Sequence, residues 1–502
     1  MIGVEEFLRL TEEFNLIPLY EEIIADTETP ISLFQKLAMD GEYSYLLESV
    51  KEGRYSFIGI SPEKVFKEYR KGLLIQEKGK SRYYPEKDLL NELKDYLKRH
   101  RVKDYEDLPP FSGGFVGFLA YEMVEKWAHI EQPEGESNEN TEKPLGIFIL
   151  SRLLIAYDHL HNTVKIINNI WIDDHLSREE KEELYHQGAA EIKELLDRIR
   201  GNGEAFSPEK DEGLAVEGEI LTKISKEEFC SMVEKARDYI EAGEVSQLVL
   251  SQKFLLENNI PAFQLFRALR AINPSPYLYY LNFPESSLIG SSPEILVKVV
   301  KNKVIVRPLA GTRPRGETRE RDLQLVQELK NDLKECIEHI MLVDLGYDEL
   351  ERVCRVGSVE VTELMEVEYY SRVMHLVSQI EGELEEGLDS LDVLKSVFPA
   401  GTVSGFPKKR ALELIKELEE EARGPYAGAV GYLSFNGNLD TCITIRTFVI
   451  EDDRIVIQAG AGIVADSVPE KEYEETMNKA SALFRAATLA GRGIGRPDIK
   501  AL

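Results

Sequence analysis

Two pairs of glutamates stand three residues apart, Glu335 with Glu338 and Glu472 with Glu475, each in a segment with helical periodicity. At that spacing both carboxylates of a pair share one helix face. The second pair follows IQAGAGIVADSVP (457–469). There the apolar run 454–458 reads as a strand and 460–462 as a Gly-rich turn. Ser467 reads as the opening of a helix, with Glu470 completing a capping box and Pro469 in the first turn. Glycines that let backbone approach a ligand, followed by carboxylates in register, point to a site for something anionic and metal-bound. Carboxylate donors suit hard cations, and Mg²⁺ is held by a few of them together with an anionic ligand. The chain carries 90 Asp and Glu, however, and the same spacing also arises on solvated helix faces.

Two further side chains could join such a site. Arg446 lies in the apolar run CITIRTFVI (442–450), which reads as one strand. A guanidinium keeps its charge, so in mid-strand it needs a carboxylate partner, from protein or ligand. His375 lies in an apolar segment and on pattern alone reads by default as a satisfied core histidine, with a functional role the lesser reading. The turn AGTVSGFP (400–407) precedes the helix KKRALELIKELEEEA and offers free N–H groups to an anion. The spacing Gly460-Ala-Gly462-Ile-Val-Ala465 loosely fits a dinucleotide fingerprint. That motif needs a helix at once and an acidic residue ending a second strand about 20 positions on. Here ALFRAATLA (482–490) reads as helix, and a dinucleotide site is set aside.

The elements that must hold these residues are α and β mixed. At 502 residues two domains are expected, 1–210 and 218–490, joined by the polar linker 201–217. The segment 131–144 reads as an exposed loop. Strands are expected over 147–156, 163–172 and 287–300, helices over 178–200 and 323–345, and a basic turn at 308–315. The net charge of −29 argues against nucleic acid or anionic membrane as a general partner. No apolar run reaches about 18 residues, and MIGVEEFLRLTEEF lacks a signal peptide's features, so a cytoplasmic protein is expected. Cys230, Cys336, Cys354 and Cys442 form no CxxC pair, which indicates reduced thiols. Composition and spacing thus reach a soluble enzyme binding a small carboxylate with Mg²⁺.

Longer motifs carry a resemblance. FPAGTVSGFPKKRA (398–411), RGPYAGAVGY (423–432), ITIRT (443–447), IQAGAGIVADSVPEKEYEETMNKA (457–480) and ECIEHIMLVDL (335–345) resemble the chorismate-utilising enzymes, and within them the anthranilate-forming branch. The resemblance is strong over 220–490. It extends through LLES (46–49), GRYSFIG (53–59) and GGFVGF (113–118) to a feedback-regulated first half. It implies an α+β fold of two orthogonally packed β-sheets with outer helices. It implies Mg²⁺ held by Glu338 and Glu475 with Glu335 and Glu472 beside it. Tyr426, Arg446 and the backbone at Gly460 and Gly462 would take the pyruvyl carboxylate of chorismate, with Thr402 and Lys479 on the same wall. Glu294 would be the acid at the C4 hydroxyl and His375 the group serving pyruvate loss. Relatives that add water carry Lys at the position of Gln247, and those that aminate C4 carry Lys at that of Ala310. Glutamine here suits ammonia as the nucleophile. A separate glutamine amidotransferase subunit would supply that ammonia. Tryptophan would bind as inhibitor between Glu48 and Ser49 on one side and Pro276, Tyr277 and Leu278 on the other. The chain departs from the family pattern at Tyr347-Asp348-Glu349 and at Phe406, where relatives have Ala.

Overall fold

The computed structural model describes residues 1–39, 41–49, 53–128, 143–201, 221–257, 259–370, 373–451 and 454–492. The expected loop 131–144 and linker 201–217 lie almost entirely outside the described residues, as does the boundary between the two expected domains. Two twelve-stranded sheets, antiparallel throughout their strand pairings, form the body of the molecule. The fold is of the α+β class.

Both sheets are built from both halves of the chain. In the first, Ser44–Glu48 pairs with Tyr277–Phe283, joining five early strands to seven later ones. In the second, Gly114–Leu119 pairs with Ala429–Ser434 in the same manner. Alternating residues of the two sheets meet in an aromatic core that includes Tyr45, Phe57, Phe118, Tyr279 and Tyr432. Helices cover the outer faces. Pro30–Leu37, Arg178–Arg200, Ala262–Ile272 and Pro469–Arg492 lie on the first sheet. Leu89–Lys98, Ser390–Val397 and Lys408–Leu418 contribute to the cluster that covers the second.

Local chemistry explains several of these elements. Arg178–Arg200 is capped by Ser177, whose side chain accepts from Glu180 N while Glu180 returns to the cap. The helix buries Gly188, Ile192, Leu195 and Ile199 along one stripe. Pro469–Arg492 buries Leu483 together with Ala480, Ala486, Ala487 and Ala490, four small residues that let it lie close on its sheet.

Elsewhere the structure corrects the sequence reading. The run 147–156 is two strands, Gly146–Ser151 and Leu153–Asp158, in different sheets. The run 287–300 divides likewise into Ser286–Ser292 and Ile295–Val300, and 442–450 into Leu439–Ile443 and Thr447–Glu451. The crossings fall at Arg152, at Pro293-Glu294 and at Thr444–Arg446, short polar interruptions between apolar stretches that both pack into the interior. The turn at 308–315 is a strand, Leu309–Pro314. The helix over 323–345 is two, Arg319–Lys330 and Leu333–Glu351, because Asp332 caps the second by accepting from Lys334 N and Glu335 N. Gly460 to Gly462 is not a turn but the end of the strand Arg454–Ile463. The Ser467 capping box does not form: its hydroxyl accepts from Val464 N, and the helix starts at Pro469.

Candidate functional site

Glu294 and Arg446 sit where the chain crosses from one sheet to the other. The Glu294 carbonyl accepts Ile443 N at 3.1 Å and the Arg446 carbonyl accepts Ser291 N at 3.2 Å, so the two crossings are stitched side by side. Arg446 has φ of +51°, a left-handed conformation uncommon for a non-glycine residue. It is therefore not a mid-strand arginine, as the sequence suggests, but the residue at the break. Its guanidinium makes no hydrogen bond or ion pair to another described residue within the usual limits, and burial depresses its basicity against the pull of Glu294 and Tyr370.

Burial also raises the Glu294 carboxyl to about 7, against opposing help from Thr402, the Leu309 N–H, Lys479 and Arg446. Those four groups ring the carboxyl. The Thr402 hydroxyl is itself buried with no hydrogen-bond partner of normal geometry among the described residues, so its influence on Glu294 is one of proximity. Thr402 is held in the short turn Gly401–Val403.

His375 lies on Val373–Glu383, paired with Thr312. Its Nδ1 is 3.1 Å from the Gly311 carbonyl and 3.0 Å from Thr312 Oγ1. Donation of Nδ1–H to the carbonyl leaves Nε2 with the free lone pair. Burial lowers the imidazole to about 4, assisted by Arg446 and Lys479 and opposed by the Gly311 carbonyl. The ring is thus neutral near pH 7.

The wall opposite is made of glycine-bearing strand. Gln247 and Gly462 sit on adjacent strands, Gln247–Glu257 and Arg454–Ile463. A Cβ at Gly462 would come 2.8 Å from Gln247 Nε2, and one at Gly460 would come 2.7 Å from Tyr426 Oη and 2.8 Å from the Leu250 carbonyl. Lys479 bridges this wall to the carboxylates, donating to the Gly460 carbonyl at 2.9 Å and to Glu475 at 2.8 Å.

The glutamate pairs occupy the first two turns of Leu333–Glu351 and Pro469–Arg492. Glu338 and Glu472 have their acidity weakened chiefly by burial; Glu475 adds repulsion to both, and Glu335 and Asp466 add it to Glu338. Lys334 tempers both and pairs with Asp466 at 3.3 Å. The structure therefore brings Glu294, Thr402, His375, Arg446, Lys479 and the two glutamate pairs into one neighbourhood, with Gln247, Tyr426, Gly460 and Gly462 along its wall.

A family model described as chorismate binding enzyme matches residues 42–485. The chain belongs to this family. Among chorismate binding enzymes similar to it, anthranilate synthase component 1 of Aquifex aeolicus (strain VF5) is 44% identical over 497 residues, covering 97% of this chain and 98% of the relative. The solved structure of anthranilate synthase component I from Streptococcus pneumoniae TIGR4 is 37% identical, with a TM-score of 0.74 over 92% of this chain and 99% of that one. MenF, the menaquinone-specific isochorismate synthase of Escherichia coli, shares the fold at 21% identity, with a TM-score of 0.69 over 96% of this chain and 98% of that one.

As a chorismate binding enzyme the chain carries a carboxylate set whose chemistry fits a hard divalent cation. As they stand, no three His, Cys, Asp or Glu among the described residues are gathered closely enough to hold a metal. Glu335 is tied to Arg313 at 2.9 Å and Glu475 to Lys479 at 2.8 Å. The mutual repulsion at Glu338, Glu472 and Glu475 is what a cation would relieve, once Glu475 leaves Lys479.

The residues expected to form an inhibitor site are only partly brought together. Glu48 and Leu278 are direct partners across adjacent strands, and so share a face. Tyr277, one residue on, faces the other way and donates to Asp440 at 2.7 Å. The Leu278 side chain is packed in the core at 1% exposure. Glu48 is held by both arms of Arg270 at 2.6 and 2.7 Å. Ser49 and Pro276 are half-buried beyond the two strands. A separate cleft of about 1170 Å³ shares only Tyr426 with the predicted site residues.

Sequence reasoning missed Arg313, which braces Glu335 and Asp332, Lys334, and the Arg270 clamp. Arg313 lay in the stretch read as a basic turn, and a strand there would have placed it beside His375's strand.

Proposed function

We propose that this chain is the large subunit of an anthranilate synthase, converting chorismate and ammonia into anthranilate, pyruvate and water. The observation that carries the reading is the ring of Thr402, Arg446, Lys479 and the Leu309 N–H around a buried carboxyl raised to about 7, beside a neutral histidine. Arg446, Tyr426 and the Gly462 backbone take the enolpyruvyl carboxylate. Mg²⁺ held by Glu338 and Glu475, with Glu335 and Glu472 beside it, would neutralise the ring carboxylate. Ammonia bonds to C2 beside the Gln247 amide while the ring double bonds shift and the C4 hydroxyl departs as water. Glu294 supplies the proton for that departure. In the second step His375 Nε2 removes the C2 proton as the C3–O bond breaks; the ring aromatises, and that proton and the enolpyruvyl group leave together as pyruvate.

A separate amidotransferase subunit delivers ammonia from glutamine, and tryptophan regulates through the Glu48–Leu278 region. The setting is cytoplasmic; none of the described helices is long and apolar enough to cross a membrane. The test is incubation of the purified chain with chorismate, Mg²⁺ and ammonium. Anthranilate and pyruvate in equal amounts are expected. Isochorismate or a 4-amino product as the main product would overturn the reading.

A further inference from the structure

One buried cation stands behind the candidate site rather than in it. The Arg423 side chain is 1% exposed and borders the 1170 Å³ cleft. Nη1 donates to the Val403 carbonyl at 2.7 Å, Nη2 to the Val249 carbonyl at 2.7 Å and to Glu419 at 2.7 Å, and Nε to Glu419 at 2.8 Å. The guanidinium lies 4.5 Å from the Tyr121 ring centroid and 5.7 Å from that of Tyr426. Its backbone N–H donates to Glu122 at 2.6 Å.

These partners reach three pieces of the site. Val403 follows Thr402 in the turn Gly401–Val403. Val249 lies two residues along the strand from Gln247. Tyr426 reaches Gly460. Glu419, in turn, accepts the N–H and hydroxyl of Ser251 on the same strand as Gln247. We infer that Arg423 is a positioning residue: its fork sets Thr402, Gln247 and Tyr426 at fixed distances from one another. The inference rests on the proposed anthranilate synthase reading. A lysine could not replace it, because one ammonium cannot span two carbonyls and a carboxylate in a plane. Loss of the fork would take a buried donor from the Val403 and Val249 carbonyls and from Glu419, leaving their segments free to drift by the fraction of an ångström that matters to turnover.

The test compares Arg423→Lys, Arg423→Ala and Glu419→Gln with the parent in chorismate turnover with ammonium and Mg²⁺. Misplacement of this kind predicts a fall of about 100-fold in kcat/KM for both Arg423 variants, and about 10-fold for Glu419→Gln. Because the vacated space opens on the cleft, millimolar guanidinium should restore Arg423→Ala by about 10-fold, whereas methylammonium and sodium chloride of equal ionic strength should not. Hydrogen exchange should quicken across 400–407 and 424–428 and stay unchanged in Arg178–Arg200. An Arg423→Lys variant within about threefold of the parent overturns the proposal. So does uniform acceleration of exchange without guanidinium rescue, which marks a general loss of stability. If the Arg423 variants do not fold, Glu419→Gln decides: parental turnover and exchange overturn the assignment. A parent that makes no anthranilate refutes the functional reading instead, and localised exchange still judges Arg423.

Discussion

At the scale of single residues, Glu294 holds a conflict that can be measured. An ordinary glutamate ionises near 4.5, and burial raises this one to about 7. The folded state therefore holds a proton that the unfolded chain releases as pH rises from 4.5 to 7. Above that window the ionised carboxylate is a destabilising charge, on the order of 3 kcal/mol at most for a shift of this size. Glu294→Gln should raise the melting temperature at pH 8, leave it nearly unchanged at pH 4, and abolish turnover. If the variant is instead less stable at pH 8, the carboxylate is stabilised by its ring of donors and not strained by burial. In the parent, kcat/KM for chorismate at fixed free ammonia should decline above about pH 7, as the acid deprotonates. The two glycines make a second contrast. Gly460→Ala meets a backbone carbonyl at 2.8 Å, which cannot yield, whereas Gly462→Ala meets only the movable end of Gln247. The first should lose about 1–3 kcal/mol of stability in a denaturation curve. The second should fold normally and raise KM for ammonium more than KM for chorismate. Equal effects on both would detach Gln247 from the nucleophile.

Among elements, the break at Asn331–Asp332 does two jobs. Asp332 caps the helix carrying Glu335 and Glu338 and anchors Arg313 at 2.6 Å. Asp332→Ala should cost about 1 kcal/mol, and should also release Arg313 wholly onto Glu335. The concentration of Mg²⁺ for half-maximal turnover should then rise; an unchanged value would remove Glu335 from the metal's surroundings. Ser49→Phe tests the other end of the first sheet: tryptophan inhibition should vanish with uninhibited turnover largely intact. A variant as sensitive as the parent would move the regulatory site elsewhere. These elements differ in how plainly the chain announces them. Arg178–Arg200 has the ends expected from its charged sequence, and the structure adds a capping box and a buried stripe. The crossings at 293–294 and 444–446 are marked only by Pro293 and Glu294 in one and by Thr444 and Arg446 in the other, single residues between apolar stretches. Only backbone conformation distinguishes Arg446 from a strand residue. The site residues themselves came from long family motifs, not from spacing, which reached no further than carboxylate pairs and an arginine in want of a partner. Arg313 escaped because its carboxylates lie 19 and 22 residues on, and Arg423 because two of its acceptors are backbone carbonyls 20 and 174 residues away.

For the molecule as a whole, the two shared sheets bind the halves into one cooperative unit. A fragment of residues 1–201 would present Ser44–Glu48 and Gly114–Leu119 as bare edges, having lost Tyr277–Phe283 and Ala429–Ser434. Such a fragment should elute from size exclusion as aggregate; a stable monomer would show that the early strands suffice alone. The same pairing has a consequence on the ribosome. Gly114–Leu119 (GFVGFL) is apolar and buried along its whole length, and its partner Ala429–Ser434 emerges roughly 300 residues later. At about 5–20 residues per second that is roughly 15–60 s of waiting. Through that interval a fully apolar edge stands open beside every other nascent copy on the same message. The yield of this protein in a cell is then set by what shields one six-residue strand during translation, and slowing the ribosome after residue 119 should lower it.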